Sequence, residues 1–254
     1  MSKRKRALIT GASSGIGREF AFKLATLGYD IVAVARRGDL LDSLSVELGV
    51  FGAQTHVVVA DLSTRAGVQS VIEAAHEIDF LVLNAGITRA AKVGTMPHDE
   101  ISRLNLLLAT GVVDVCEAVI PQMVHRNSGD IVIVSSIAAF IPMPKSAIYA
   151  ATKTYAMSYG RSLSIELKKS DVRVCVVCPG YVRTDLHDQA GLSHLRDRVP
   201  SWLWVEKHDV VRSALRGLKK NKSVVVPGLV YRLARPFLGS ALAQSIWRRT
   251  TKRN

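Results

Sequence analysis

Three side chains near the middle of the chain could together move a proton. Ser136 closes the apolar run IVIVSS; thirteen residues later comes Tyr149, and Lys153 follows four positions on. An i, i+4 pair shares one helix face. A tyrosine with an ordinary pKa of about 10 is a poor base at neutral pH, and lowering it by about three units requires roughly 4 kcal/mol. An ammonium about 4 to 5 Å away, in an effective dielectric near 20, supplies about that much. Tyr149 can then exchange a proton with a substrate oxygen, while Ser136 hydrogen-bonds the same oxygen and stabilises its developing charge. The competing reading of a lone Tyr-x-x-x-Lys pair is the surface of an amphipathic helix.

A second group of residues suits phosphates. TGASSGIG puts Gly11, Gly15 and Gly17 directly after the first apolar run and at the start of the first helical pattern. Backbone N–H groups and the helix dipole there face a pyrophosphate, and glycine lets phosphates approach with no Cβ clash. The spacing is GxxxGxG rather than GxGxxG, and a tight turn needs glycine whatever it binds. At the end of the next apolar run, where NAD-preferring folds usually carry a carboxylate for the ribose 2′-hydroxyl, stand Ala35, Arg36 and Arg37. Two cations and no acid suit a 2′-phosphate, which a guanidinium holds bidentately. The expected cofactor is NADP(H) rather than NAD(H), with Arg36 the main contact and Arg37 secondary. A solvated surface turn is the alternative, and Asp39 stands close by.

These groups need a framework. Short β-branched runs at 7–10, 31–35, 55–59, 80–83, 131–134, 172–177 and 224–226 alternate with helical patterns at 15–27, 39–48, 64–76, 99–126 and 147–169. Nearly continuous apolar strands separated by helices imply an α/β fold, a doubly wound, Rossmann-like parallel sheet covered on both faces. No linker or repeat divides the first 185 residues, so 1–254 reads as a single domain. Within it, 6–186 is the cofactor and catalytic core, 187–206 a lid-like insertion over substrate, and 229–254 a basic tail. The alternative for 187–206 is an ordinary surface connection whose two tryptophans pack on the body.

Composition sets the outer limits. With 254 residues, 48% of them hydrophobic, the chain is neither disordered nor fibrous and can bury a substantial core. Three cysteines cannot form a disulfide scaffold and suit a reducing compartment. The opening MSKRKRALITGASSG lacks the apolar region of a signal peptide, and no uninterrupted apolar stretch approaches the ~18 residues of a spanning helix. The expected location is the cytoplasm. The net charge of +13 is concentrated at the ends: Lys3, Arg4, Lys5 and Arg6 open the chain, and 206–254 holds twelve Lys and Arg against two carboxylates. A fold that reads nucleic acid spreads its basic residues over the main body, so no nucleic-acid partner is expected.

Taken together, the chemistry-bearing residues resemble one family. TGASSGIG, Asp61-Leu62, Asn84-Ala85-Gly86, Asn105, Ser136, Tyr149, Lys153 and PGYVRT at Pro179 to Thr184 follow the order and spacing of the short-chain dehydrogenase/reductase family over about residues 6 to 186. The resemblance implies that Gly11, Ser13, Gly15, Ile16 and Gly17 line the phosphates, Asp61 and Leu62 the adenine, and Asn84 the adenosine side. It implies that Tyr149 and Lys153 also reach the cofactor, Lys153 through the nicotinamide ribose, and that Asn105 completes a catalytic proton relay through water to Lys153. Pro179, Gly180, Val182 and Thr184 would cradle the carboxamide. Dimers or tetramers, formed through the helices at 99–126 and 147–169, are implied as well. SSIAAF lacks the glycine that often follows the serine pair, which reshapes the substrate wall.

The activity expected is hydride transfer between NADPH and a carbonyl or alcohol, with Tyr149 moving the proton. Ile137, Phe140, Ile141, Met143 and Ile148 make an apolar substrate wall, which favours a hydrophobic ketone or aldehyde. The rivals are an oxidising alcohol dehydrogenase of the same family and a non-catalytic dinucleotide-binding protein that docks through its basic ends. No metal site is expected: Cys175 and Cys178 stand three apart on a strand, where they point to opposite faces, and none of the seven histidines has metal-ligand spacing to a partner. The tail mixes Leu229, Leu233, Phe237, Leu238, Ala241, Leu242 and Ile246 with arginines and Trp247. It suits peripheral contact with an anionic membrane, although Pro236 and Gly239 interrupt it and packing on the body or on a neighbouring subunit is the alternative.

Overall fold

The apolar runs form strands because each is covered on both faces, where β-branched side chains pack best. A computed structural model of the protein describes residues 4–184 and 199–238. In it β1 (Lys5–Thr10), β2 (Tyr29–Ala35), β3 (Thr55–Val59), β4 (Phe80–Leu83), β5 (Gly129–Val134) and β6 (Val172–Val177) lie parallel in one sheet. A separate parallel ribbon pairs β7 (Tyr181–Val182) with β8 (Trp204–Val205), and β9 (Val224–Val225) completes the main sheet in the order β3-β2-β1-β4-β5-β6-β9. The chain winds outward from β1 to β3, then crosses back to β4 and winds the other way. The doubly wound sheet expected from the sequence is the one that forms, and its switch point lies between β1 and β4, where such sheets bind their ligands.

On one side α1 (Gly15–Thr26) packs against α2 (Gly38–Gly49) and α7 (Lys207–Lys219). On the other, α5 (Gly111–His125) packs between α3 (Arg65–Ala74) and α6 (Ala147–Glu166). The expected helix over 99–126 is interrupted: α4 (His98–Asn105) passes into a π-helical turn at Leu106–Thr110 before α5 begins. A π turn inserts a residue without breaking the apolar run, so LNLLLAT reads as continuous helix. Within His98–His125 an 18-residue window reaches a mean hydropathy of 1.6, long and apolar enough by length and composition to cross a membrane, a feature not expected from the sequence; here the stretch packs on α3 and α6. Helix α7 is not among the helices expected from the sequence, although Val210, Val211, Ala214, Gly217 and Leu218 repeat at helical spacing and are all buried.

The turn between β1 and α1 is stitched to the end of β4. Thr10 Oγ1 accepts from the N–H groups of Asn84 and Ala85 at 2.9 and 3.0 Å, and the Asn84 amide donates to the Thr10 carbonyl at 3.0 Å. Gly17 sits beneath this stitch, where a Cβ would lie 2.2 Å from the Gly11 carbonyl oxygen and 2.6 Å from the Asn84 amide nitrogen. Gly17→Ala must therefore push backbone apart. The expected loss is about 1–3 kcal/mol of stability, read as a lower denaturant midpoint with an unchanged slope.

Candidate active site

Two connected cavities open across the carboxyl ends of the central strands. The larger, about 480 Å³, runs from Arg36 and Arg37 over the glycine turn, past Asp61 and Leu62, to Asn84 and Gly86. The smaller, about 120 Å³, holds Ser136, Tyr149 and Lys153 together with Pro179, Gly180, Val182 and Thr184. Ile16, Asn84, Gly86, Ile87 and Thr184 line both, so the two make one cleft.

At the larger end, left-handed backbone at Gly11 (φ +69°) and Gly15 (φ +58°) carries the chain into α1, whose first turn holds no carboxylate. That leaves the positive end of the helix facing the cavity, lined by Gly11, Ser13, Gly15 and Ile16. Gly17 is not in the cavity wall among the described residues; it is the packing position described above rather than a lining one. Arg37 reaches across from β2 and donates to Ser13 Oγ at 3.0 Å and Ser14 Oγ at 2.9 Å, so its guanidinium is anchored on the turn. Arg36 is exposed beside Asp61. Burial works to raise the Asp61 carboxyl, but the Ser63 N–H and O–H bonds to it, with Arg36 and Arg103 nearby, hold it below the usual carboxylate range. The Asn84 amide also donates to the Gly11 carbonyl at 3.4 Å, so this side chain shapes the turn as well as lining the cleft. A cleft with a helix N-terminus and two guanidiniums at one end and an apolar pocket at the other fits an extended dinucleotide.

At the smaller end, Lys153 is 6% exposed. Its Nζ donates to the Val134 carbonyl at the end of β5 (3.0 Å), and Ser135 Oγ donates to the Lys153 carbonyl at 2.8 Å. The Nζ lies 5.8 Å from the centroid of the Tyr149 ring. Burial pulls the ammonium down to about 8, opposed in small part by Cys178. Ser136 caps the short 3-10 turn at Ile137–Phe140 and accepts from the Ala138 N–H at 3.1 Å, which fixes its hydroxyl at the cavity wall.

Asn105 is not brought to this group. It lies on the exposed face at the end of α4, and the place beside Lys153 belongs to Leu108, 1% exposed, within the π turn. Leu108 and Lys153 converge over Gly86, where a Cβ would meet Leu108 Cδ2 at 3.1 Å and Lys153 Nζ at 3.5 Å. The substrate wall also differs from expectation. Ile137 and Met143 line the smaller cavity, but Phe140, Ile141 and Ile148 do not; Ile87, Thr88 and Tyr181 take their place. Phe140 instead lies under the Arg235 guanidinium, 5.4 Å from its ring centroid, and Ile141 is buried in the core. Tyr181 was not singled out at the sequence level; its signal is its place within PGYVRT.

Of the lid-like stretch, 187–198 lies outside the described residues. In the rest, Trp204 packs 5.6 Å from the Tyr181 ring, centroid to centroid, while Trp202 is exposed. Cys175 faces Gly217 of α7 and Cys178 lies on the side of Ser135 and Lys153, so the two thiols do point apart; burial pushes both up to about 12.

The Lys153 geometry predicts a trade of stability for function. Because the folded value lies below the ordinary 10.5, the native state binds fewer protons than the unfolded chain between about pH 8 and 10.5. The buried ammonium thus weakens the fold fully below pH 8, and the penalty disappears as pH rises through that window. Lys153→Met is expected to unfold at a higher temperature than wild type at pH 7, with the gap closing toward pH 10.5, and to lose activity; a lower melting temperature at pH 7 would refute this.

Residues 5–193 match the family model for short chain dehydrogenases. The chain is 36% identical over 187 residues to the oxidoreductase UcpA of Salmonella typhimurium, covering 72% of this chain and 71% of that one. Among solved structures it resembles a short-chain dehydrogenase from Sphingobium yanoikuyae in complex with NADPH (TM-score 0.84, 30% identity, 98% of each chain). It also resembles the bulky-bulky ketone specific alcohol dehydrogenase from Comamonas testosteroni (TM-score 0.81, 26% identity, 100% of this chain and 96% of that one). With the family model spanning most of its length and the fold matching end to end, the chain belongs to the short-chain dehydrogenase/reductase family, oxidoreductases that use a nicotinamide cofactor.

Proposed function

We propose that the protein is an NADP(H)-dependent reductase of an apolar ketone or aldehyde. The observation that carries this reading is one continuous cleft with Ser136, Tyr149 and Lys153 at its apolar end and Arg36 and Arg37 at its phosphate end. The nicotinamide, when bound, supplies the hydride. Gly11, Ser13, Gly15 and Ile16 hold the diphosphate, Asp61 and Leu62 flank the adenine, and Pro179, Gly180, Val182 and Thr184 cradle the carboxamide. Ser136 hydrogen-bonds the carbonyl oxygen and orients it. Tyr149 Oη delivers the proton to that oxygen, and the Lys153 ammonium stabilises the phenolate left behind. Lys153 would also hold the nicotinamide ribose. Leu108 packs beside Lys153 over Gly86 and Asn105 is exposed, so this mechanism gives Asn105 no part in a proton relay.

The preference for NADP(H) rests on the two guanidiniums and the absence of a carboxylate at the end of β2. Arg37 is preset on Ser13 and Ser14, and Arg36 stands exposed at the same end of the cleft, where it would meet a 2′-phosphate. The substrate class rests on Ile87, Ile137, Met143 and Tyr181 in the smaller cavity, with the ketone specificity of the Comamonas relative as support. Self-association through α5 and α6, where Val124, Tyr155 and Ile165 are exposed apolar side chains, gives a homodimer or homotetramer.

Tyr149→Phe is expected to lower kcat for NADPH-dependent ketone reduction by roughly 10²–10⁴-fold with NADPH still bound; retained turnover would sink the proton-transfer assignment. Arg36→Asp should move the ratio of kcat/KM for NADPH over NADH by about 10- to 100-fold toward NADH, the range of a lost charge-assisted hydrogen bond. An unchanged ratio would place the 2′-phosphate contact elsewhere. Asn105→Ala, at an exposed position, should change kcat by less than about twofold; a large fall would return Asn105 to the relay.

A further inference from the structure

The helix after β9 is amphipathic the wrong way round for a soluble surface. In α8 (Leu229–Ala234) and the 3-10 turn that continues it to Phe237, Tyr231 and Leu238 face the body and are buried. Leu229, Leu233 and Phe237 repeat at i, i+4 and i+8 on the opposite side and are 66%, 65% and 67% exposed, with Val230 beside them. Tyr231 fixes this helix in place: its hydroxyl accepts from the Tyr181 N–H at 3.2 Å and donates to the Leu203 carbonyl at 2.8 Å. The ring fills the space over Gly180, where a Cβ would lie 2.1 Å from it. The same contact sets the helix beside the turn that exposes Trp202 (64%). The result is an apolar ridge standing on the outer side of the Gly180–Tyr181 cavity wall.

We propose that this ridge docks on an anionic lipid bilayer. Large aliphatic and aromatic side chains left in water on one helix face mark an interaction surface, and charge selects the partner. From Leu229 to Asn254 the sequence holds six Lys and Arg and no Asp or Glu, with Arg232 and Arg235 on α8 and the turn that follows it. That balance repels a second copy of the same segment and attracts acidic headgroups, while Leu, Phe and Trp enter the boundary between headgroups and acyl chains. This inference rests on the surface alone and stands apart from the choice of substrate or cofactor.

The test is cosedimentation of the full-length protein with vesicles of phosphatidylglycerol or of phosphatidylcholine at low and high salt, alongside Leu233→Asp and Phe237→Asp. The wild type is expected to sediment with phosphatidylglycerol at low salt and poorly with phosphatidylcholine. Each substitution should lower the bound-to-free ratio about tenfold, the change expected on withdrawing one such side chain from an apolar phase, with melting temperature and light-scattering mass unchanged. Wild type that stays in the supernatant with phosphatidylglycerol would overturn the proposal. So would variants that sediment as wild type does, which would leave tail charge alone as the attachment. Variants that instead fall apart from an oligomer would assign the ridge to a second copy of the chain.

Discussion

The site depends on keeping an ammonium out of water. Lys153 is the one charged side chain among the buried described residues, and a buried charge persists only where its donors are met. The Val134 carbonyl meets it because β5 ends there and α6 runs directly above. Helix α6 can come that close because Gly160 leaves room: a Cβ at that position would lie 2.5 Å from Val176 and 2.9 Å from Ile133. Ser135 then ties the strand end to the Lys153 carbonyl, fixing the height of the helix. Tyr149, one turn earlier, is placed by the same contacts. The fold therefore carries a destabilising group in order to hold the tyrosine beside a positive charge.

The opposite end of the cleft depends on a different close approach. Thr10, Asn84 and Gly17 lock the first turn of α1 against the end of β4, at the point where the winding of the chain reverses. That lock aims the N-terminus of α1 at the larger cavity and leaves Asn84 and Gly86 lining both parts of the cleft. A dinucleotide laid across the switch point would bring its phosphates to the helix and its reactive ring to Tyr149, with no domain motion.

Much of this was legible in the sequence because the relevant signals are local. Apolar runs between helical patterns fixed the parallel sheet, and the glycine turn and the Tyr149/Lys153 spacing put the two ends of the cleft in order. The misreadings arose where tertiary geometry decides. Asn105 has the residue type for a relay, but the π turn that follows it rotates Leu108 inward in its place, and no residue in LNLLLAT announces that insertion. Glycine suits both a phosphate contact and a tight packing position, and the approach of the Gly11 carbonyl and the Asn84 amide puts Gly17 in the second. Phe140 and Ile141 lie close in sequence to Ser136, yet the 3-10 turn sends them away from the cavity, and Tyr181 enters from the segment that follows β6.

The central claim is that this cleft passes a hydride from NADPH to a carbonyl carbon under the control of Tyr149. Its most direct test is NADPH carrying deuterium at both C4 positions, incubated with ketones and aldehydes of graded size and polarity, with mass analysis of the alcohols formed. The account predicts one deuterium on the carbinol carbon, preferentially with the more apolar ketones. Demonstrated NADPH binding with no deuterium transferred to any carbonyl would contradict it and leave a dinucleotide-binding protein without this chemistry.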